Sequence, residues 1–344
     1  MEKGCYTALI TPFDNTGEID NQGLEQLINF QVENSITGIL AAGTTGESPT
    51  LKWEEHHLIS KKIADHTKNK CKSIAGAGSN NTKEAMNAVE HAAKIGYESV
   101  LLVDPYYNGP SSLETRKEYY EPIAKAFPKI DIIPYIIPGR TGGQMLPQDL
   151  AILSEKYNNI SSVKEATGNL ENMKKTRKFC KDDFTILSGD DPMICDMMMD
   201  PDIQAAGGIS VISNIAPKFL TQMILLLDKG ETDKALKINN ALAPLFSIIT
   251  VTTKEDTPYG KTQCRARNPL AIKTLMNLLG MPSGYCRQPM GKMTQKGLNI
   301  VVDAAKNVWE NNPEIFAPIA DFFKVDIDER LNNKSYRNNL YYDY

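Results

Sequence analysis

Gly38-Ile39-Leu40-Ala41-Ala42-Gly43 is a continuous run of small and apolar residues with no polar alternation. A strand facing water on one side alternates. An unbroken apolar run suits a strand covered on both faces, as in parallel sheets flanked by helices. Upstream, Cys5 to Phe13 reads as a first strand. Asp20 then suits an N-cap for a helix whose Leu24, Leu27, Ile28 and Val32 recur at helical spacing. Downstream, the turn Thr44 to Pro49 leads to a helix over Trp53 to His66.

The same strand-helix alternation continues along the chain. Lys72–Gly78, Ser99–Tyr106, Asp131–Ile137, Ile160–Glu165, Phe184–Ser188 and Gly207–Ser213 read as strands three to eight. Helices are expected over Thr82–Ile95, about Leu113–Ala126, Pro147–Tyr157, Leu170–Cys180, Met193–Met199 and Pro217–Asp228. Eight such units predict an α/β protein with a (β/α)8 TIM barrel over residues 1–229. No G-x-G-x-x-G follows the first strand, which argues against a dinucleotide-binding sheet. Residues 230–344 read as a C-terminal helical appendage without strands, with Thr252 to Asn268 as an inserted polar loop. The Asn- and Tyr-rich tail, Glu329 to Tyr344, leaves disorder and docking on a neighbour both open.

Composition narrows the function classes. A formal net charge of −4 over 344 residues gives no reason to expect nucleic acid or an anionic membrane as partner. No apolar run approaches the ~18–20 residues a membrane helix needs, and the N-terminus lacks the pattern of a signal peptide. Six cysteines without paired spacing and four histidines outside any ligand pattern argue against a metal site or disulfide framework. They fit a cytoplasmic location.

Barrel enzymes carry their active sites at the C-terminal ends of the strands, and unusual residues gather there. Lys164 closes strand six in Ser161-Ser162-Val163-Lys164-Glu165-Ala166-Thr167-Gly168. Burial there favours its neutral, nucleophilic amine. Gly43-Thr44-Thr45-Gly46-Glu47-Ser48, after strand two, offers backbone N–H groups and hydroxyls to a small carboxylate. Tyr106-Tyr107-Asn108 follows strand four, Tyr135 lies within strand five, and Arg140 beyond it suits bidentate carboxylate binding. Ser188-Gly189-Asp190-Asp191 ends strand seven. No cofactor motif accompanies them. Each residue alone has an ordinary explanation in packing or surface pairing, but together they fit a metal-free Schiff-base lysine enzyme acting on a 2-oxo acid.

The Gly43–Ser48, Tyr106–Asn108, Tyr135-x-x-Pro138-x-Arg140-Thr141-Gly142 and Lys164–Asn169 motifs resemble the dihydrodipicolinate synthase family. That family belongs to the pyruvate-dependent class I aldolases that also include N-acetylneuraminate lyase. The resemblance runs from about Tyr6 to Ala305. It implies a Schiff base between Lys164 and pyruvate, whose enamine attacks aspartate semialdehyde to give 4-hydroxy-tetrahydrodipicolinate, a step towards diaminopimelate and lysine. It makes Tyr135 the proton carrier, hydrogen-bonded to Thr44 and to Tyr107, the latter reaching in from a neighbouring subunit of a homo-oligomer, a dimer or tetramer. Thr45 is assigned the pyruvate carboxylate and Arg140 the semialdehyde carboxylate, while Gly189 and Ile212 match backbone positions lining the pocket. Ser48, Trp53, His56, Asn80, Glu84 and Tyr106 match a feedback site for L-lysine.

This chain departs from the pattern at Ile136, where the family carries Asn beside the site. It also departs at an insertion, Asp200 to Ala206, expected near the pocket rim, and in the longer 252–268 segment and tail. An N-acetylneuraminate or 2-keto-3-deoxy sugar acid lyase is the nearest alternative. Arg140 argues against it, because a polyhydroxy substrate needs hydroxyl partners there. The other alternative is a non-catalytic, metabolite-binding barrel, whose mark would be loss of Lys164 or Tyr135, and both are present.

Overall fold

The computed structural model describes residues 1–342. Eight parallel strands close into a barrel in sequence order: β1 (Gly4–Ala8), β2 (Gly38–Ala41), β3 (Lys72–Gly76), β4 (Ser99–Val103), β5 (Asp131–Ile136), β6 (Ser162–Glu165), β7 (Thr185–Ser188) and β8 (Gly207–Ser210). β8 returns to β1 with Gly4 opposite Gly207. This seam needs glycine at 207. Its φ is +126°, and a β-carbon there would sit 2.1 Å from the Gly4 carbonyl oxygen. The TIM barrel expected from the strand-helix alternation is the fold of this protein.

The strands bury both faces, as their composition demands. Tyr6, Leu40, Ile74, Leu101, Ile133 and Leu187 fill the barrel interior. The alternate positions Val100, Leu102, Ile132, Val163 and Ile186 pack outward against the helices. Ile136 belongs to the outward set. The Ile that replaces the family's Asn therefore does not stand beside the site, because the pleat turns it away from its neighbour Tyr135.

The helix expected over 113–126 forms as one path broken by a π-turn over Thr115–Tyr120. A π-turn shifts the helical register locally, and here both Tyr119 and Tyr120 are buried. The Tyr120 hydroxyl donates to Asp104 Oδ1 at 2.8 Å. The Tyr119 hydroxyl accepts from the Ser79 N–H at 3.1 Å. Both anchor the helix beneath the rim.

Two expectations about insertions are corrected. Asp200 to Ala206 leads from the helix Ile194–Met199 into the start of β8, where the Gly4 N–H donates to Ala206 O. A helix-to-strand connection arrives at the N-terminal end of the barrel, so this segment lies opposite the rim. Thr252 to Asn268 is no loop. β9 (Thr250–Thr257) and β10 (Gly260–Arg267) pair antiparallel around a Pro258-Tyr259 tip. Burial alternates along β9, with Val251, Thr253 and Glu255 buried and Thr252, Lys254 and Asp256 exposed. In residue type the alternation shows only in β10, where long polar Lys261, Gln263, Arg265 and Arg267 interleave with small Thr262, Cys264 and Ala266.

The C-terminal region therefore contains strands as well as helices. Its helices Thr232–Phe246, Leu270–Leu278 and Gln295–Asn311 share one core with the helix Asn21–Glu33 and with Ile215 and Leu220. Phe30 meets Phe322 and Phe323 at ring-centroid distances of 5.5 and 5.2 Å, contacts worth about 0.5–1.5 kcal/mol each beyond area burial. The boundary expected at 229/230 falls at a helix–helix turn, with no break in that core. The tail folds back on its own chain: Tyr341–Tyr342 (β12) pairs parallel with Met293–Thr294 (β11). Asp343 and Tyr344 lie outside the described residues.

Candidate active site

Register places the central pair. Tyr135 on β5 is the Cα partner of Lys164 on β6, and paired residues of neighbouring strands project to the same face. Both side chains are buried, and the Lys164 ammonium lies 4.1 Å from the Tyr135 ring centroid. Burial lowers the Lys164 pKa to about 8, against the upward pull of Asp190 and Asp191 and with Arg140 adding to the fall. The Tyr135 hydroxyl is pushed up to about 12 by burial, opposed by Arg140 and by the neighbouring Thr44 side chain. At neutral pH the phenol therefore keeps its proton, and about one lysine in ten is a free amine.

The Lys164 stem needs space, and Gly189 provides it. A β-carbon at 189 would lie 3.1 Å from Lys164 Cε and 2.7 Å from Ala166 Cβ. Next along the chain, Asp191 accepts from the Ser210 hydroxyl, from the Val211 N–H at 2.9 Å and from the Ile212 N–H at 3.4 Å. Ile212 is itself buried in the core shared with the C-terminal helices. Burial raises the Asp190 and Asp191 carboxyls, and Lys164 pulls both back down.

A cavity of about 260 Å³ opens beside this pair, lined by Thr44, Ser48, Tyr106, Tyr135, Arg140 and Arg267 among others. Lys164, Thr45, Gly189 and Ile212 lie outside that lining. Arg140 is half-buried, and its Nη2 donates to Asn268 O at 3.0 Å. Thr45 is buried and accepts from Asn268 Nδ2 at 3.0 Å. Tyr107 does not join Tyr135 within the chain: it is 91% exposed, with a left-handed φ of +76°.

The Gly43–Ser48 loop is held from beneath by a buried ion pair. Lys273 Nζ donates to Glu47 Oε1 at 2.7 Å, to Thr11 O at 2.9 Å and to Tyr285 O at 3.0 Å. Glu47 Oε2 accepts from the Arg287 N–H at 2.8 Å. Sequence reasoning missed Lys273, Asn268 and Arg267. The available signal was a lone lysine within the apolar helix Leu270–Leu278, a place where an amine must find buried acceptors.

Five of the six expected effector residues lie in two groups, Ser48 with Trp53 and His56, and Glu84 with Tyr106. His56 Nε2 lies 3.1 Å from Ser48 O, and the Trp53 and His56 rings are 4.8 Å apart. Glu84 accepts from the Ser79 hydroxyl at 2.7 Å and is close enough to Tyr106 to raise its phenol pKa, although burial is the larger cause. Asn80 is exposed. Among the described residues no cluster of three or more His, Cys, Asp or Glu is placed to hold a metal, and no helix is long and apolar enough to cross a membrane.

A closed β/α barrel with a buried lysine and tyrosine register-paired beside a rim cavity has the architecture of a lysine-dependent barrel lyase. The family model of the Dihydrodipicolinate synthetase family matches residues 1–308, and the chain belongs to that family. The 4-hydroxy-tetrahydrodipicolinate synthase of Methanococcus vannielii is 38% identical over 293 residues, which is 85% of this chain and 94% of that protein. That of Methanocaldococcus jannaschii is 37% identical over 308 residues, covering 90% and 99%. The crystal structure of the Cyanidioschyzon merolae enzyme with lysine bound superposes with a TM-score of 0.80 at 33% identity, covering 89% of this chain and 98% of that one.

Proposed function

We propose that this chain is a 4-hydroxy-tetrahydrodipicolinate synthase, condensing pyruvate with L-aspartate 4-semialdehyde. The observation that carries the reading is the Lys164 amine, buried over the Tyr135 ring with its pKa lowered to about 8. The neutral amine adds to the pyruvate ketone, and loss of water leaves the Schiff base. Loss of a methyl proton gives the enamine, which attacks the aldehyde carbon of the semialdehyde. The semialdehyde's amino group then displaces Lys164 from the imine carbon, closing the ring and freeing the enzyme, so one water is released overall. Tyr135, held by Thr44, moves the protons of these steps. Thr45 holds the pyruvate carboxylate and Arg140 that of the semialdehyde. Gly189 and Ile212 shape the wall on the lysine side.

The active protein is a homo-oligomer in which Tyr107, exposed in the single chain, completes the proton path of a second copy. Ser48, Trp53, His56, Asn80, Glu84 and Tyr106 form an effector site for L-lysine. Six cysteines with no disulfide support a reducing, cytoplasmic setting.

Intact-protein mass spectrometry after pyruvate and borohydride tests the chemistry, with Lys164→Ala in parallel. A reduced pyruvyl adduct on the wild type alone, followed by turnover of aspartate semialdehyde in preference to sugar acids, is the expected result. An adduct on neither protein removes the catalytic reading. Preferential cleavage of a sugar acid would assign the site to a lyase of that class instead.

A further inference from the structure

The β9–β10 hairpin ends at the cavity. Its inner face is fixed to the body: Thr253 Oγ1 meets Thr294 Oγ1 at 3.2 Å, and Lys296 Nζ meets Lys254 O at 2.8 Å and Glu255 at 3.2 Å. The last residue of β10 is Arg267, paired with Thr250 at the hairpin's base. Its side chain lines the cavity together with Arg140.

The two arginines are locked into one patch by an exchange of hydrogen bonds. Arg267 Nη2 donates to Gly139 O, the residue before Arg140, at 3.1 Å. Arg140 Nη2 donates to Asn268 O, the residue after Arg267, at 3.0 Å. A guanidinium has five N–H donors, so each side chain has donors to spare. Among the described residues neither arginine forms an ion pair. The two guanidinium groups gathered at this half-buried rim repel each other, and the Asp190 carboxylate reaches Arg140 only through its field, with no ion pair, an arrangement that an anionic ligand relieves.

We propose that Arg267 is a second carboxylate-binding residue of this site, acting beside Arg140 on the acidic aldehyde substrate. The hairpin is then the arm by which this chain adds a cation to the rim and sharpens its preference for an aldehyde bearing a carboxylate. The assignment rests on the condensation reading above for the identity of that aldehyde. The carboxylate subsite itself rests on the cavity and the paired arginines. Arg267 plays no part in the Schiff base, which forms at Lys164.

The test compares Arg267→Ala, Arg267→Lys and Lys261→Ala, the last an exposed residue of the same hairpin. Steady-state kinetics with both substrates are paired with succinate titration of the pyruvate-free protein. Loss of one charge-assisted pair at a partly exposed rim predicts an about tenfold rise in KM for the semialdehyde in Arg267→Ala. KM for pyruvate and borohydride trapping of the pyruvyl adduct stay unchanged. Succinate binding weakens in parallel. Arg267→Lys, which keeps the charge and loses the fork, falls between, and Lys261→Ala matches the wild type. Unchanged semialdehyde KM and succinate binding in Arg267→Ala, or an equal rise in both KM values, overturns the proposal. A wild type that does not turn over the semialdehyde, while Arg267→Ala still weakens succinate, fails the condensation reading and keeps the carboxylate subsite.

Discussion

Two lysines are buried in the described chain, Lys164 and Lys273, and their surroundings send them to opposite tasks. Burial lowers the pKa of both. Lys273 has three oxygen acceptors for its three ammonium protons, one of them the Glu47 carboxylate. Lys164 has an aromatic face at 4.1 Å and only the more distant field of Asp190 and Asp191. A lysine that is satisfied as a cation becomes a structural pin, and one that is desolvated without a bonded counter-ion becomes a nucleophile.

Exchanging each lysine for methionine breaks the comparison most directly. Lys164→Met abolishes the borohydride-trapped pyruvyl adduct in intact-mass spectra, a complete loss of the covalent step. Lys273→Met keeps Lys164 but strands the Glu47 carboxylate, costing about 3–5 kcal/mol in denaturant unfolding. Adding Glu47→Gln to Lys273→Met recovers part of that loss, because the stranded charge is gone. Lys164→Met has the reverse effect on stability. Removing a desolvated amine without a bonded partner raises unfolding free energy by about 1–2 kcal/mol. Should both methionine variants destabilise equally, the distinction between pin and nucleophile fails.

Smaller effects sharpen it. Gly189→Ala crowds Lys164 Cε and slows adduct formation, read as the rate of borohydride trapping, without unfolding the barrel. The pH dependence has a defined sign. Lys164 is protonated below its lowered pKa, so the trapping rate rises with pH and reaches half its plateau near pH 8. Asp190 pulls that pKa upward, so Asp190→Asn moves the midpoint to lower pH. A midpoint unmoved in this variant would separate Asp190 from the lysine's electrostatics.

Much of this arrangement was legible because it follows local pattern. The runs Gly38–Ala42 and Ser99–Val103 lack alternation and are too short for a helix, which suits a strand covered on both faces. Lys164 stood out as a polar residue at the end of such a strand. The hairpin was hidden because Thr252 to Asn268 is polar and β9 runs Thr252-Thr253-Lys254-Glu255-Asp256-Thr257 with no alternation of residue type, so that a charged residue, Glu255, stands on its buried face. Lys273 and Arg267 were hidden for another reason. Their partners Glu47 and Gly139 lie 226 and 128 positions away, and no periodicity within one segment reports a contact of that span. The side of the barrel on which the Asp200–Ala206 insertion falls depends on chain direction. Sequence order held that information, since a segment entering a strand lies at the strand's N-terminal end.

The tie between Glu47 and Lys273 bears on how this protein could be cut or transplanted. An engineer who excised residues 1–229 as a minimal scaffold would retain all eight barrel strands. The fragment would lose the ammonium that neutralises Glu47, the amide that holds Thr45 and the arginine beside Arg140. Left beneath the Gly43–Ser48 loop would be a buried acid with no counter-ion, which relaxes by taking up a proton or drawing in water. The smallest portable unit of this catalyst therefore extends at least to Arg287, whose backbone N–H closes the other oxygen of Glu47.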